Sequence, residues 1–203
     1  MEATPRDAAY WQAVYEESDS PPWDKGEAAP PLVRAVRGAG LPKGTRVLTP
    51  GCGRGHEALF LAQEGFEVTA VDFAPSAVAY LKARAEGLPI RALERDLFSI
   101  DKDMAGCFDL VVEHTCFCAI PLEMRDAYAE VIARVLAGGG RIIGLFYETE
   151  KEDGPPFRTT DEDVRRHFSG HFEIISCTRP EDSFENRLGR EWLVEMRKRS
   201  DMP

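Results

Sequence analysis

Residues 46–72, RVLTPGCGRGHEALFLAQEGFEVTAVD, constrain the chain more than any other stretch. Val47, Leu48 and Thr49 make a short run that enters a turn built from Gly51, Cys52, Gly53, Arg54 and Gly55. Ala58, Leu59, Leu61 and Ala62 then recur at the spacing of a helix packed on a sheet. Phe66, Val68, Ala70 and Val71 read as a second strand, closed by Asp72 at its C-terminal end. Strand, glycine turn, helix and strand together form one half of a nucleotide-binding α/β sheet.

The turn narrows the ligand. Glycines let the backbone bend sharply and let a bound group approach within van der Waals distance. A carboxylate at the end of the second strand can accept two hydrogen bonds from a ribose diol, so Asp72 suits several nucleotide ligands. A dinucleotide turn reads GxGxxG and keeps the helix N-terminus clear for pyrophosphate. Here the pattern is GxGxG followed by His56 and Glu57, and a carboxylate in the first helical turn repels pyrophosphate. A ligand with a cationic centre and an ammonium group is tolerated there. S-adenosylmethionine is such a ligand.

A chain of 203 residues is expected to fold as one domain, residues 1–203. No apolar run approaches the roughly 20 residues that span a bilayer, so no membrane partner is expected. The N-terminal MEATPRDAAYWQ has neither the basic start nor the apolar core of a secretory signal. Five cysteines without framework spacing favour a reducing interior, and a cytoplasmic location is expected. A formal charge of −10 disfavours nucleic acid, because phosphate binding needs a basic surface. The natural partner is therefore a small molecule, and the chain is expected to be a monomer.

Along the chain, residues 1–17 read as an amphipathic helix carrying Tyr10, Trp11, Val14 and Tyr15, followed by a connector built on Pro21-Pro22-Trp23-Asp24. Pro30 opens a short helix with Leu32, Val33 and Val36 inward, and Pro75 opens another with Ala77, Val78, Leu81 and Ala85 inward. Ile90–Leu93 and Phe108–Glu113 are the third and fourth strands. The fourth delivers Glu113, His114 and Thr115 to the edge where open α/β sheets bind ligands. A helix from Glu123 to about Leu136 is expected next, then a tight return at Gly138-Gly139-Gly140 into a fifth strand, Arg141–Tyr147. Residues 148–157 form a charged loop able to border a substrate site. Thr160, or alternatively Thr159, caps a helix reaching Phe168. Phe172–Thr178 and Glu191–Arg197 complete a seven-stranded sheet with the last strand inserted antiparallel.

The segments PPWDKG, PGCGRGHE, VDFAPSAV, CFCAIPLEMRDAYA and GLFYETEKEDGPPF, in that order, resemble the thiol and halide methyltransferases of the thiopurine methyltransferase superfamily. The resemblance covers nearly the whole chain. It implies a class I, Rossmann-like three-layer α/β sandwich with an N-terminal helical lid over residues 1–40, and S-adenosylmethionine as cofactor. It implies that Trp11, Tyr15 and Trp23 lie over that cofactor, with Tyr15 replacing the tryptophan often found there. Gly51 and Gly53 form its cradle and Asp72 its ribose site, with Glu113 also counted among the cofactor contacts. Asp96 and the Leu97 amide are expected to meet the adenine, although Asp96 could instead cap the turn to Ser99. At Tyr147 the resemblance implies an aromatic beside the methyl acceptor.

Methyl transfer from a sulfonium is an in-line displacement with a neutral leaving group, so alignment and water exclusion matter most. The chain contains no HExxH, CxxC pair or GKS/T loop, and no metal is expected. Cys116 and Cys118 form a CxC pair too weak for zinc and read as small buried hydrophobes, as does Cys52. His114 could assist deprotonation of a thiol, or hydrogen-bond the cofactor edge or a loop carbonyl. Glu148 stands where relatives often have proline. If it faces inward it would discourage halide by like-charge repulsion. Arg125 could hold the Cys118–Pro121 turn through an internal ion pair or lend the pocket positive charge. The expected function is methyl transfer to the sulfur of a small thiol. Halide methylation and O- or N-methylation of a small molecule are the nearest alternatives. An NAD-dependent oxidoreductase and a non-catalytic S-adenosylmethionine-binding protein stand further off.

Overall fold

The computed structural model describes residues 7–18, 21–151 and 153–200; the first six residues of the expected N-terminal helix lie outside that set. Five strands run parallel in one sheet: β1 (Arg46–Pro50), β2 (Glu67–Asp72), β3 (Ile90–Glu94), β4 (Phe108–His114) and β5 (Leu136–Tyr147). With β6 (Phe172–Thr178) and β7 (Glu191–Lys198) the order is β3-β2-β1-β4-β5-β7-β6, and β7 runs antiparallel to both its neighbours. The inserted antiparallel last strand and the seven-stranded sheet are as the sequence implied. The chain reverses its direction of growth between β1 and β4, which opens a crevice at their C-terminal ends, the place where such sheets take ligands.

Successive strand side chains point to opposite faces, and the buried residues sort accordingly. Val47, Leu110, Val112, Ile143, Leu145 and Leu193 pack on one face with α2 (Pro30–Gly38) and α3 (His56–Gln63). Leu48, Val111, Ile142, Phe146 and Val194 pack on the other with α6 (Arg125–Val135) and α7 (Asp161–Phe168). The remaining helices are α1 (Ala8–Glu17), α4 (Pro75–Arg84) and the single turn α5 (Asp101–Met104). Proline opens α2 and α4 as expected, and Thr160 with Asp163 forms a reciprocal capping box at α7. Within α2, Pro31, Leu32, Ala35 and Val36 are buried, whereas Val33 lies at the margin.

Two boundaries differ from expectation. The triple glycine lies inside β5: Leu136 already pairs with Phe108, and Arg141 pairs with Leu110, so residues 137–140 bulge out between those pairs. The helix after Pro121 starts at Arg125 because Leu122–Met124 winds as a 3-10 turn, with the Met124 N–H donating to the Pro121 carbonyl at 2.9 Å.

α1 crosses over α4. Asp7 caps its first turn, accepting the Tyr10 N–H at 3.0 Å, and the Ser76 N–H donates to Gln12 Oε1 at 2.9 Å. Among the described residues no helix is long and apolar enough to cross a membrane.

Candidate active site

Three glycines of the turn after β1 take left-handed backbone angles: Gly51 (φ 53°), Gly53 (φ 51°) and Gly55 (φ 75°), the last capping α3. Side chains at the first two would also collide with neighbours. A Cβ on Gly51 would come within 2.5 Å of Cys116 Sγ, and one on Gly53 within 2.7 Å of the Tyr15 hydroxyl. Glycine is thus required at both positions because Cys116 and the Tyr15 hydroxyl already fill the space a side chain would take, which leaves the turn's backbone, not side chains, to meet a ligand. Asp72 braces it from β2: its Oδ2 accepts the Gly53 N–H at 2.8 Å and its Oδ1 the Ala74 N–H at 2.9 Å. Each oxygen retains a lone pair, so the carboxylate can still receive a ribose diol. Burial raises the Asp72 pKa, and the backbone N–H donors only partly oppose that.

A roof of aromatic rings covers the turn. The rings of Trp11 and Trp23 meet edge-on at 5.4 Å, and those of Tyr15 and Trp23 at 6.0 Å. Tyr15 is held strongly protonated by burial and by the nearby Asp72 carboxylate. Asp24 clips this roof to the glycine turn: its Oδ2 lies 3.1 Å from Arg54 Nη1 and its Oδ1 2.8 Å from His56 Nε2. The sequence-selected Trp11, Tyr15, Trp23, Gly51, Gly53 and Asp72 are therefore together. A glycine cradle, a braced strand-end carboxylate and an aromatic roof fit an adenosyl group carrying a sulfonium and an amino-acid tail.

Asp96 and Leu97 lie at the end of β3. Asp96 is exposed and caps the 3-10 turn Leu97–Ser99, accepting the Phe98 N–H at 2.9 Å. The capping alternative is thus realised, with Oδ2 not used in that bond.

At the end of β4 the pleat separates two adjacent titratable groups. Glu113 points to the α6 side, is 1% exposed, and accepts the Phe117 N–H at 2.8 Å through Oε1. Its Oε2 has no partner among the described residues, and burial pushes its pKa up to about 7. Its carboxylate supports the turn after β4, where Thr115 takes a strained φ of 60° for a β-branched residue.

His114 points to the opposite face and meets Glu57 of α3, with Nδ1 2.7 Å from Oε1. The same Glu57 oxygen accepts the Ala29 N–H at 3.2 Å, tying in the start of α2. His114 Nε2 is buried without a partner among the described residues. Burial alone would lower the His114 pKa, but the Glu57 carboxylate outweighs it and leaves the pKa raised. Burial likewise works against the Glu57 carboxylate, yet His114 and the Ala29 N–H hold it well below the usual carboxylate range. Glu57 is thus turned to His114 rather than simply lending charge to the glycine turn.

Tyr147 at the end of β5 and Glu191 at the start of β7 pair in register on this same face. Arg187 lies between them, with Nη1 3.2 Å from Glu191 Oε1, Nη2 donating to the Trp23 carbonyl at 3.2 Å, and its guanidinium 5.0 Å from the centre of the Tyr147 ring. Arg187 is 6% exposed and Glu191 1%. Both were missed by sequence reasoning. The one available signal was an Arg and a Glu four apart in a short connector entering the last strand.

Two sequence readings are corrected. Glu148 points to the opposite face, where its oxygens bind Arg158 at 3.0 Å, Arg179 at 2.5 Å and the Trp192 indole N–H at 2.9 Å. Its charge is neutralised there and sets no barrier to an anion beside Tyr147. Arg125 makes no ion pair at the turn; it is 2% exposed, lies 4.6 Å from the centre of the Phe117 ring, and donates to the Arg158 carbonyl at 3.1 Å and Thr159 Oγ1 at 2.9 Å. It secures the far end of the 148–157 loop, which the Phe157 N–H also pins to the Cys118 carbonyl at 2.6 Å. Burial raises the thiol pKa of Cys52 and Cys116 and lifts Cys118 to about 12, so these thiols remain protonated and unreactive.

The chain matches the sequence profile of the family described as Thiopurine S-methyltransferase over residues 6–200. It is 32% identical over 198 residues to thiocyanate methyltransferase 1 of Arabidopsis thaliana, covering 93% of this chain and 84% of the relative. Among solved structures it is similar to one described under the conversion of a disulfide bond into a thioacetal group during echinomycin biosynthesis. That match has a TM-score of 0.81 and 24% identity, covering 97% of this chain and 94% of the other. A TehB-like S-adenosylmethionine-dependent methyltransferase from Corynebacterium glutamicum matches with a TM-score of 0.67 and 17% identity, covering 95% and 96%. These two likenesses establish a shared fold.

Proposed function

Because the chain belongs to the thiopurine S-methyltransferase family, we propose that the crevice at the C-terminal ends of β1, β4 and β5 transfers a methyl group to the sulfur of a small thiol. The protein is an S-adenosylmethionine-dependent methyltransferase. The observation that carries the thiol assignment is His114, whose Nδ1 is bound to Glu57 while its buried Nε2 is unengaged on the face shared with Tyr147 and Glu191.

Bound S-adenosylmethionine supplies an electrophilic methyl on a positively charged sulfur. Gly51 and Gly53 would cradle its amino-acid portion, Asp72 its ribose, and Asp96 with the Leu97 amide its adenine. Glu113 serves this site indirectly, by bracing the turn that follows His114. Trp11, Tyr15 and Trp23, within the lid of residues 1–40, would exclude water from the developing bond. His114 Nε2 accepts the thiol proton, Tyr147 walls the acceptor side, and Arg187 holds negative charge close to it. Residues 1–203 act in this reading as one domain with a single small-molecule site, as a cytoplasmic monomer; the free cysteines support a reducing compartment.

Headspace mass spectrometry tests the assignment. The protein with S-adenosylmethionine is offered hydrosulfide, a small alkanethiol, an aromatic thiol, thiocyanate and iodide in parallel. Methylated thiols are expected to lead the products. Methyl iodide or methyl thiocyanate as the main product would overturn the acceptor choice and leave the cofactor assignment intact.

A further inference from the structure

We propose that Glu57 is a positioning residue that gives this site a preference for acceptors arriving as neutral thiols. It does so by holding His114 with Nδ1–H directed at Glu57 and the Nε2 lone pair directed at the acceptor. This rests on the reading of His114 as proton acceptor.

Three observations carry it. The Nδ1 to Oε1 distance of 2.7 Å is that of a charge-assisted hydrogen bond, and a carboxylate can only accept, so the proton is on Nδ1. Both side chains are largely withdrawn from water, with 11% and 15% of their surface exposed, and Nε2 has no partner among the described residues. Glu57 is itself fixed by the Ala29 N–H and by its place in α3, next to the glycine turn. The imidazole is therefore held at a fixed angle by the helix that the cofactor turn opens.

A halide or thiocyanate arrives as an anion and offers no proton, so an oriented base does nothing for it. A thiol of ordinary pKa arrives neutral. As its sulfur lone pair forms the new bond to the methyl carbon, its proton moves to Nε2. The electron pair of the broken carbon–sulfonium bond stays on the departing neutral thioether. The imidazolium so formed lies against the Glu57 carboxylate, which stabilises the charge where it appears. The other charged groups facing His114 are Arg187, which opposes that charge, and Glu191, which favours it; Glu113, on the opposite face of β4, is coupled to His114 only across the strand.

The test compares an alkanethiol with an electron-poor aromatic thiol that is already ionised at pH 7, in wild type, Glu57→Ala and Glu57→Gln. Glu57→Ala is expected to lower kcat/KM for the alkanethiol about 10- to 100-fold while changing the pre-ionised acceptor less than about 3-fold. Glu57→Gln keeps an acceptor for Nδ1–H and should restore most of the alkanethiol rate. It removes the charge that raises the His114 pKa, and the acidic limb of its pH profile should move to lower pH. Equal losses for both acceptors in Glu57→Ala, or an unmoved limb in Glu57→Gln, would overturn the proposal. If wild type methylates neither thiol, the thiol assignment itself fails. Nitrogen-15 shifts of His114 then judge the positioning alone: a Nδ1–H tautomer in wild type that Glu57→Ala scrambles supports it, and a tautomer indifferent to residue 57 refutes it.

Discussion

Glu113 and His114 are neighbours in sequence with opposite electrostatic fates, and each makes a separate demand on the protein. Glu113 is 1% exposed and its folded-state pKa is raised from 4.5 to about 7 by burial. The folded state therefore holds a proton that the unfolded chain releases. That contribution to stability is complete below about pH 4.5 and is lost as pH rises through about 7. Glu113→Gln keeps an acceptor for the Phe117 N–H but cannot ionise. Between pH 5 and pH 8 wild type should lose roughly 2–3 kcal/mol relative to this variant, measured by urea unfolding across the range. Parallel pH dependences would place the Glu113 pKa near its ordinary value. Asp72 and His114 were legible in the sequence because each terminates a strand at the ligand edge of the sheet. The roles of Glu57 and Arg187 were not, because they depend on partners 57 residues away for Glu57, and on the backbone of Trp23 for Arg187.

At the scale of elements, most of the fold could be read from alternation, proline starts and glycine stops, since these act within a few residues. The start of β5 could not. A bulge is defined by the partner strand, and nothing local distinguishes Gly138-Gly139-Gly140 in a bulge from the same residues in a turn. The lid shows a similar limit. Its aromatic residues were visible, but the clip that seats them joins Asp24 to Arg54 and His56 across the glycine turn. All three side chains are at most 15% exposed, so the Arg54 ion pair and the His56 hydrogen bond act with little screening from water. Asp24→Ala removes both contacts and the acceptor for the Gly26 N–H. It should weaken S-adenosylmethionine binding about 10- to 100-fold and speed hydrogen exchange in α1 and across residues 21–26. Exchange in β1 and β4 should stay unchanged. Uniformly faster exchange would mean that the clip supports the sheet rather than the lid.

For the whole molecule, the division between a sheet that folds and a lid that senses ligand follows from where the apolar residues lie. Neither buried cluster includes a residue of α1 among the described residues, whereas α2, α3, α6 and α7 all contribute. The core is therefore complete without the aromatic roof, which the Asp24 clip and the hydrogen bonds of α1 to α4 seat, and which a bound ligand would hold more tightly. A ligand present at about 100 times its Kd stabilises the folded state by about 2.7 kcal/mol. For a chain of this size that corresponds to a Tm increase of roughly 5–10 °C. S-adenosylmethionine should produce that shift in wild type, and NAD should produce none. Trp23→Ala should melt within about 2 °C of wild type without ligand, because its ring contacts are to Trp11 and Tyr15 rather than to the core. At the same S-adenosylmethionine concentration it should lose most of the ligand-induced increment. A large loss of Tm in the ligand-free variant would instead make the roof part of the folding core, and the sheet could then no longer be treated as independent of its lid.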